Sequence, residues 1–328
     1  MNRLIRHALI LVGISIFTAC SDEHTDIDLS QISKEARFIR FDSAFFNSDT
    51  ANIPQEVDRL SALYPEFYAA GKNSVFWKSQ RTDEKQNELY RASKNVFEDF
   101  GPLNENLNFS MKHFYFYFPE VPQIKFYSYI SNLDFQYPVL YVPQQNICFA
   151  GIDLYLGPEK PFYNSLPEYQ AYYRQPAFLL RDCIQAVCEP HINKKTESAT
   201  LLDDMVYYGK QWYFLEKMLP QKEETIITQY RPEHLAFCKE NERTIWAYFV
   251  ENKHLFDTSN DLKRRFIELA PFSKFRMKFD AETPGMIGRW VGWQIVRNYM
   301  IENPDVTLQQ LGQETDARKI LKMSGDRP

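Results

Sequence analysis

Apolar positions change their spacing several times along this chain, and each change marks a different kind of element. Residues 21–36 are polar and acidic (Ser21-Asp22-Glu23-His24, then Asp26 and Asp28) and carry no periodic apolar face, so they read as a flexible tether. From Phe38 to about residue 112 the spacing is helical, punctuated by Pro54, Pro65 and Gly71. Within it, a charged helix is expected from about Thr82 to Phe100, with Leu89, Val96 and Phe97 as its apolar positions. The middle of the chain is different. Residues 125–130, 139–142 and 147–150 are short β-branched and aromatic runs separated by turn residues, and Ile152 to Leu156 alternates in part. That spacing predicts a small, largely antiparallel sheet.

Beyond Pro161 the helical period returns. Pro176 fits a first-turn position, and Leu179, Leu180, Cys183, Ile184 and Val187 supply a core face up to Cys188. Thr200 is placed to cap a long helix whose stripe runs through Leu202, Met205, Val206, Gly209, Trp212 and Tyr213 and stops before Pro220. Pro232 opens another helix carrying Trp246 and Phe249. A last long one starts near Pro284-Gly285 and runs to about Ile301. There is no internal repeat and no low-complexity tract. The plan is α+β: one mostly helical domain over residues 37–328 with a single small sheet.

The first residues change the picture of where this domain sits. Arg3 and Arg6 precede an apolar run from Ala8 to Phe17, and a run of about ten residues is too short for a bilayer but suits a secretory signal. It ends in Phe17-Thr18-Ala19-Cys20, which resembles the lipobox of bacterial lipoproteins. The expected organisation is a signal peptide over residues 1–19, a lipidated Cys20 opening the tether of residues 20–36, then the domain. Acyl chains, worth ~0.8 kcal/mol per buried methylene, would hold the protein to its membrane. Ser21 favours the outer membrane, and Asp22-Glu23 resembles short acidic signals for surface display, so both the periplasmic and the outer face stay open.

Composition removes several classes of function. The formal charge of −5 mixes both signs, which gives no basic face for nucleic acid. Cys148, Cys183, Cys188 and Cys238 form no C-x-x-C pair, and buried free thiols are expected. The six histidines (His7, His24, His113, His191, His234 and His254) include no pair four apart, so no H-E-x-x-H helix exists. Nucleophile elbow, P-loop and dinucleotide turn are absent from the sequence. Cys188 and His191, with Glu189 between and Asp203-Asp204 downstream, are too few at fixed spacing to specify a metal. Carboxylate pairs such as Asp203-Asp204 and Glu240/Glu242 read as solvated helix faces. No cofactor is expected.

Several ordered motifs resemble the gliding-motility lipoprotein GldB family of the Bacteroidetes. They are Phe41 to Phe46, the Phe149-Ala150-Gly151-Ile152-Asp153-Leu154-Tyr155-Leu156-Gly157 segment, Leu201 to Lys210 with Trp212-Tyr213 and Leu219-Pro220, and Asn241-Glu242 with Ile245-Trp246. The clearest is Pro284-Gly285-Met286-Ile287-Gly288-Arg289-Trp290-Val291-Gly292-Trp293-Gln294, continuing through Tyr299-Met300 to Leu308. The same order of elements is more distantly similar to predicted zinc peptidases of zincin-like fold. Laid over this chain, their H-E-x-x-H helix falls on residues 181–185 and their following glutamate on Tyr208. Arg181 and Gln185 share a helical face, yet Arg cannot lose its proton to bind zinc, and Gln and Tyr replace imidazole and carboxylate poorly. The resemblance therefore implies a zincin-like scaffold without catalysis, with Arg181, Asp182, Gln185 and Tyr208 in a vestigial cleft.

The glycines of the C-terminal motif are read first as packing, letting another backbone approach closely. The functional alternative is that Arg289, Trp290 and Gln294 line the same cleft. Residues 113–118, His-Phe-Tyr-Phe-Tyr-Phe, are read as buried wall rather than an aromatic platform. Three functions stay open: a non-enzymatic part of the gliding and secretion-associated machinery with envelope protein partners, an envelope peptidase with unconventional ligands, and a lipoprotein that binds peptide or glycan.

Overall fold

A computed structural model describes residues 27–68, 70–278 and 280–325. The signal peptide, Cys20 and the first residues of the tether lie outside the described residues. The chain docks onto the domain before residue 37. Lys34 Nζ donates to the carbonyls of Pro119 (2.7 Å) and Val121 (2.6 Å), Ala36 is buried, and the Ala36 and Phe38 N–H groups donate to Asn108 and Asn104 side chains. The packed domain thus begins some residues ahead of the expected boundary.

Strand β1, Phe38–Arg40, stands where helix was expected. Six helices follow: α1 (Phe41–Phe46), α2 (Ile53–Leu63), α3 (Pro65–Tyr68), α4 (Ser74–Thr82), α5 (Glu84–Val96) and α6 (Gly101–Tyr117). Then come β2 (Lys125–Tyr129), β3 (Val139–Val142) and β4 (Ile147–Gly151). The sheet order is β1-β2-β4-β3, and only β3–β4 is antiparallel; β1–β2 and β2–β4 are parallel. The sheet is therefore mixed rather than largely antiparallel. Short spacing signalled hairpins, but only β3–β4 is one. Strand β3 itself carries the chain from β2 over to the far side of β4, and the α1–α6 region supplies the long crossover that a parallel β1–β2 pair requires.

The segment 152–156 is not a fourth alternating run. Ile152–Leu154 forms a single 3₁₀ turn, because the Asp153 carboxylate turns inward to serve another loop. Helix α7 spans Glu168–Ala171, and Pro176 lies two residues ahead of α8, Phe178–Cys188, rather than in its first turn. Helix α9, Leu201–Met218, begins with the Thr200 cap: its hydroxyl accepts from the Asp203 N–H while Asp203 accepts from the Thr200 N–H at 2.8 Å. After α10 (Glu224–Thr228), the helix expected from Pro232 is two, α11 (Pro232–Glu240) and α12 (Glu242–Glu251). Asn241 separates them, its side-chain amide donating to the Phe237 carbonyl at 2.9 Å and closing the first helix. Helices α13 (Asn260–Phe266), α14 (Ile287–Glu302), α15 (Leu308–Gln313) and α16 (Ala317–Met323) complete the domain.

Helix α9 is the central rod. Leu201, Leu202, Met205, Phe214, Leu215 and Met218 are fully buried, and α14, α8, α6 and α16 pack around it. The other face of the sheet carries a separate aromatic cluster: Phe41 stacks on Phe67 at 3.6 Å and Phe46 on Tyr90 at 4.8 Å, with Tyr127 and Phe149 beneath.

Candidate functional site: an arginine–tyrosine cluster and a neighbouring cavity

Three helices bring polar groups to one place. On α8, Arg181 is buried; its Nε donates to the Ile227 carbonyl at 3.1 Å and its Nη1 to Asp182 Oδ1 at 2.9 Å. Asp182 also accepts from the Tyr155 hydroxyl at 2.8 Å and from Gln229 Nε2 at 3.1 Å. Burial, reinforced by Asp182, pushes the Tyr155 phenol well above its ordinary range, so it stays protonated and keeps its proton for Asp182. On α14, Arg289 donates through Nε to the Ile267 carbonyl at 2.8 Å, and its guanidinium lies 4.0 Å from the ring of Tyr208 on α9. Tyr173, Tyr230 and Arg181 complete its electrostatic surroundings, and burial pulls Arg289 below its ordinary pKa, opposed by the tyrosines. Arginine nonetheless stays protonated at neutral pH.

Beside this cluster opens a cavity of about 390 Å³, walled by Tyr172, Tyr173, Gln229 and Tyr230, with Arg231 and His234 among its other lining residues. The Tyr230 hydroxyl donates to the Gly285 carbonyl at 2.8 Å, tying this wall to the segment ahead of α14. Two non-glycine residues near it, Gln229 and Met286, hold left-handed backbone (φ 56 and 58), a conformation that clusters at sites where geometry is imposed.

Of the residues singled out from the sequence, Arg181 pairs with Asp182, Arg289 lies over Tyr208, and Arg181 is near enough to Arg289 to disfavour its charge. The other three candidates do not join them. Trp290 is core, 2% exposed with its indole N–H buried and unpartnered. Gln185 and Gln294 are half-buried and make no polar contact with the cluster. Tyr155, Tyr173, Gln229 and Tyr230 were missed, since they arrive from three separate connections and none carries a local signal.

The glycines act as expected. A Cβ on Gly292 would sit 1.7 Å from the Met205 carbonyl oxygen, and one on Gly209 would sit 2.2 Å from the Gly292 carbonyl carbon. Helices α9 and α14 thus touch backbone to backbone, and the seam is filled by Trp212 and Trp293, edge to face at 5.9 Å. The Asp153 motif also has a structural task. Its carboxylate, fully buried, accepts from the Ser131 N–H (2.7 Å), the Ser131 hydroxyl (3.0 Å) and the Leu133 N–H (2.8 Å), holding a turn in which Asn132 and Leu133 are left-handed. The model of the family described as gliding motility protein GldB matches residues 22–328, which includes all of these motifs.

The chain belongs to the GldB family. No curated protein and no solved structure matches it. The family assignment supports a gliding-motility-associated lipoprotein, and no helix among the described residues is long and apolar enough to cross a membrane.

Other residues weighed from the sequence take structural places in this GldB-family domain. Cys188 is buried, with burial pushing its thiol up, and His191 packs its ring against Phe118 at 4.4 Å and Phe114 at 5.4 Å. Asp203 caps α9, while Asp204 pairs with Lys263 at 3.0 Å and Lys194 at 3.5 Å. Among the described residues no group of three or more His, Cys, Asp or Glu side chains is placed to hold a metal ion. Cys148, Cys183, Cys188 and Cys238 are free and buried. Of residues 113–118, His113, Phe114, Tyr115 and Phe118 are buried and Phe116 is exposed.

Proposed function

We propose that this protein is a lipid-anchored, non-catalytic component of the gliding-motility apparatus in the cell envelope, tethered through Cys20 and engaging envelope protein partners through its folded domain. The family match over residues 22–328 carries the reading. The cleft chemistry supports it: where a zincin-like overlay would put metal ligands, this chain has Arg181, Gln185 and Tyr208, and Arg181 is already engaged with Asp182 and the Ile227 carbonyl. None of these three side chains is a good zinc ligand at neutral pH. The scaffold is accordingly read as a degenerate metallopeptidase-like one, reused for binding. Outer-membrane placement follows from Ser21, with the acidic residues behind it suited to either face.

Two measurements test the proposal. Deleting the gene is expected to stop spreading on agar, with rescue by the full chain but not by Cys20→Ala, which should leave the membrane fraction. Elemental analysis of chain purified without chelators is expected to find zinc well below one per chain. Stoichiometric zinc that is lost on mutating His191 or Asp203, together with peptide hydrolysis, would overturn the non-catalytic reading.

A further inference from the structure

We propose that the cavity of about 390 Å³ between α7, the α10–α11 link and the segment ahead of α14 binds a neutral glycan, with the Tyr169 ring as the platform for a sugar. The charges on its wall nearly cancel. Arg231 donates to Glu168 at 3.1 Å and lies 4.5 Å from the ring of Tyr172. Burial pulls the His234 imidazole below its ordinary value, so it is uncharged at neutral pH. Glu233 remains, in the first turn of α11, where the helix dipole offsets a negative charge. An anion entering the cavity would meet Glu168 and Glu233, and a cation would meet Arg231. A neutral ligand escapes both penalties.

The lining then selects among neutral ligands. Tyr169 is half-buried, and its ring stacks on no other ring among the described residues. A free aromatic face of this kind takes the apolar C–H side of a sugar ring. His234 makes no hydrogen bond among the described residues, so its neutral imidazole offers one donor and one acceptor. Glu233, exposed and without an ion pair among them, adds acceptor oxygens. Sugar hydroxyls both donate and accept, which suits that mixture, whereas an apolar ligand would take water from these groups and return no hydrogen bond. Every lining residue lies in a helix or a connection, so a peptide finds no strand edge to extend. The back wall is fixed beforehand, with the Tyr230 hydroxyl on the Gly285 carbonyl and Gln229 on Asp182, which limits the freedom lost on binding. The volume falls within the usual size of small-ligand sites. This inference goes beyond the envelope-component reading above and is independent of it.

The test titrates the full chain by calorimetry, in a detergent without a sugar headgroup. The probes are the neutral trisaccharides of glucose, mannose and N-acetylglucosamine, a galacturonate trimer, and an N-acetylated Ala-Tyr-Ala amide. At least one neutral trisaccharide is expected to bind with a dissociation constant of ~1 mM or tighter, and the galacturonate trimer and the peptide at least ~tenfold more weakly. Tyr169→Ala should weaken the sugar about threefold to tenfold, the range of one aromatic stacking contact, and leave the urea midpoint in place. Tyr137→Ala, which removes an exposed tyrosine outside the cavity, should leave binding unchanged. Should Tyr169→Ala fail to fold, His234→Ala is expected to weaken the sugar in its stead. No heat from any trisaccharide up to ~10 mM overturns the proposal. So does tighter binding of the galacturonate trimer or of the peptide, which would make the cavity an anion site or a peptide site. Sugar binding that survives both Tyr169→Ala and His234→Ala puts the glycan elsewhere and overturns it equally. Each outcome concerns occupancy alone, and the gliding phenotype is read separately.

Discussion

Replacing Gly292 by alanine sets two effects of opposite sign against each other. In an exposed helix, Gly→Ala gains about 1 kcal/mol from lost backbone freedom in the unfolded chain. Here the new methyl would lie 1.7 Å from the Met205 carbonyl oxygen and 2.3 Å from its carbon, both backbone atoms of α9. Backbone cannot swing aside as a side chain can, so α9 and α14 must part by more than ~1 Å, and a gap of that size forfeits a quarter to a half of each contact across it. The contacts at stake include Met205, Val206, Trp212, Trp293 and Val296, all buried along the two helices. Overpacking of a tight core costs ~1–3 kcal/mol, and with rigid backbone on both sides the upper end applies. Net of the propensity gain, Gly292→Ala should lose ~2 kcal/mol, a large part of a usual total stability of ~5–15 kcal/mol.

Urea unfolding followed by tryptophan fluorescence reads this directly, since Trp212, Trp290 and Trp293 are three of the five tryptophans and sit on α9 and α14. The midpoint should fall by about 1 M. Gly101→Ala, whose methyl would meet only the Asp99 side chain, should change little. Gly209→Ala should behave like Gly292→Ala, and the double variant should cost less than the sum, because one parting of the helices relieves both clashes. A Gly292→Ala protein as stable as the original, or more stable, would refute the backbone contact.

Other consequences follow from individual groups. Asp153→Asn keeps one acceptor but turns an amide toward donors, so it should cost ~2–3 kcal/mol in the same urea assay; a loss below ~0.5 kcal/mol would show that the 131–133 turn holds itself. Lys210 donates to the carbonyls of Asn193, Gly312 and Glu314, and burial pulls its ammonium down to about 8. A folded-state pKa below the unfolded value means that the unfolded chain binds more protons as pH rises past about 8, so stability should grow by up to ~2 kcal/mol between about pH 8 and 9.5. Lys210→Met should lack this slope, and parallel pH curves for the two proteins would remove Lys210 as its source. The four buried thiols should react with a thiol reagent only as fast as the domain opens; labelling at the rate of an exposed thiol would contradict their burial.

What could be read from the chain follows how local each signal is. Helices α9 and α14 carry long apolar stripes and, for α9, a cap three residues from its partner, so both were legible nearly to their ends. Strand β1 is three residues long and enters the sheet only because β2, far along the chain, accepts it in parallel. No local period marks such a pairing. Asp153 was legible as part of a motif, but its role depends on Ser131 and Leu133, more than a strand away. Around the cluster, Arg181 and Tyr208 came from overlaying a distant relative's order of elements and Arg289 from the glycine-rich C-terminal motif, whereas Tyr155, Tyr173 and Tyr230 were illegible because a tyrosine in a turn has no face to share.

The packing of the glycines on α9 and α14 also fixes where Tyr208 and Arg289 stand. Gly209 directly follows Tyr208, and Gly288 and Gly292 bracket Arg289 along α14. Because the glycines let α9 and α14 meet at backbone distance, Tyr208 and Arg289 are set face to face at 4.0 Å. A seam spaced by ordinary side chains would hold the helix axes ~8–10 Å apart and would let both long side chains choose among rotamers. The close approach holds the Arg289 guanidinium over the Tyr208 ring, with its Nε on the Ile267 carbonyl. Packing at the glycines is thus what brings Arg289 over Tyr208, and a substitution that parts the helices acts on stability and on that contact through the same displacement.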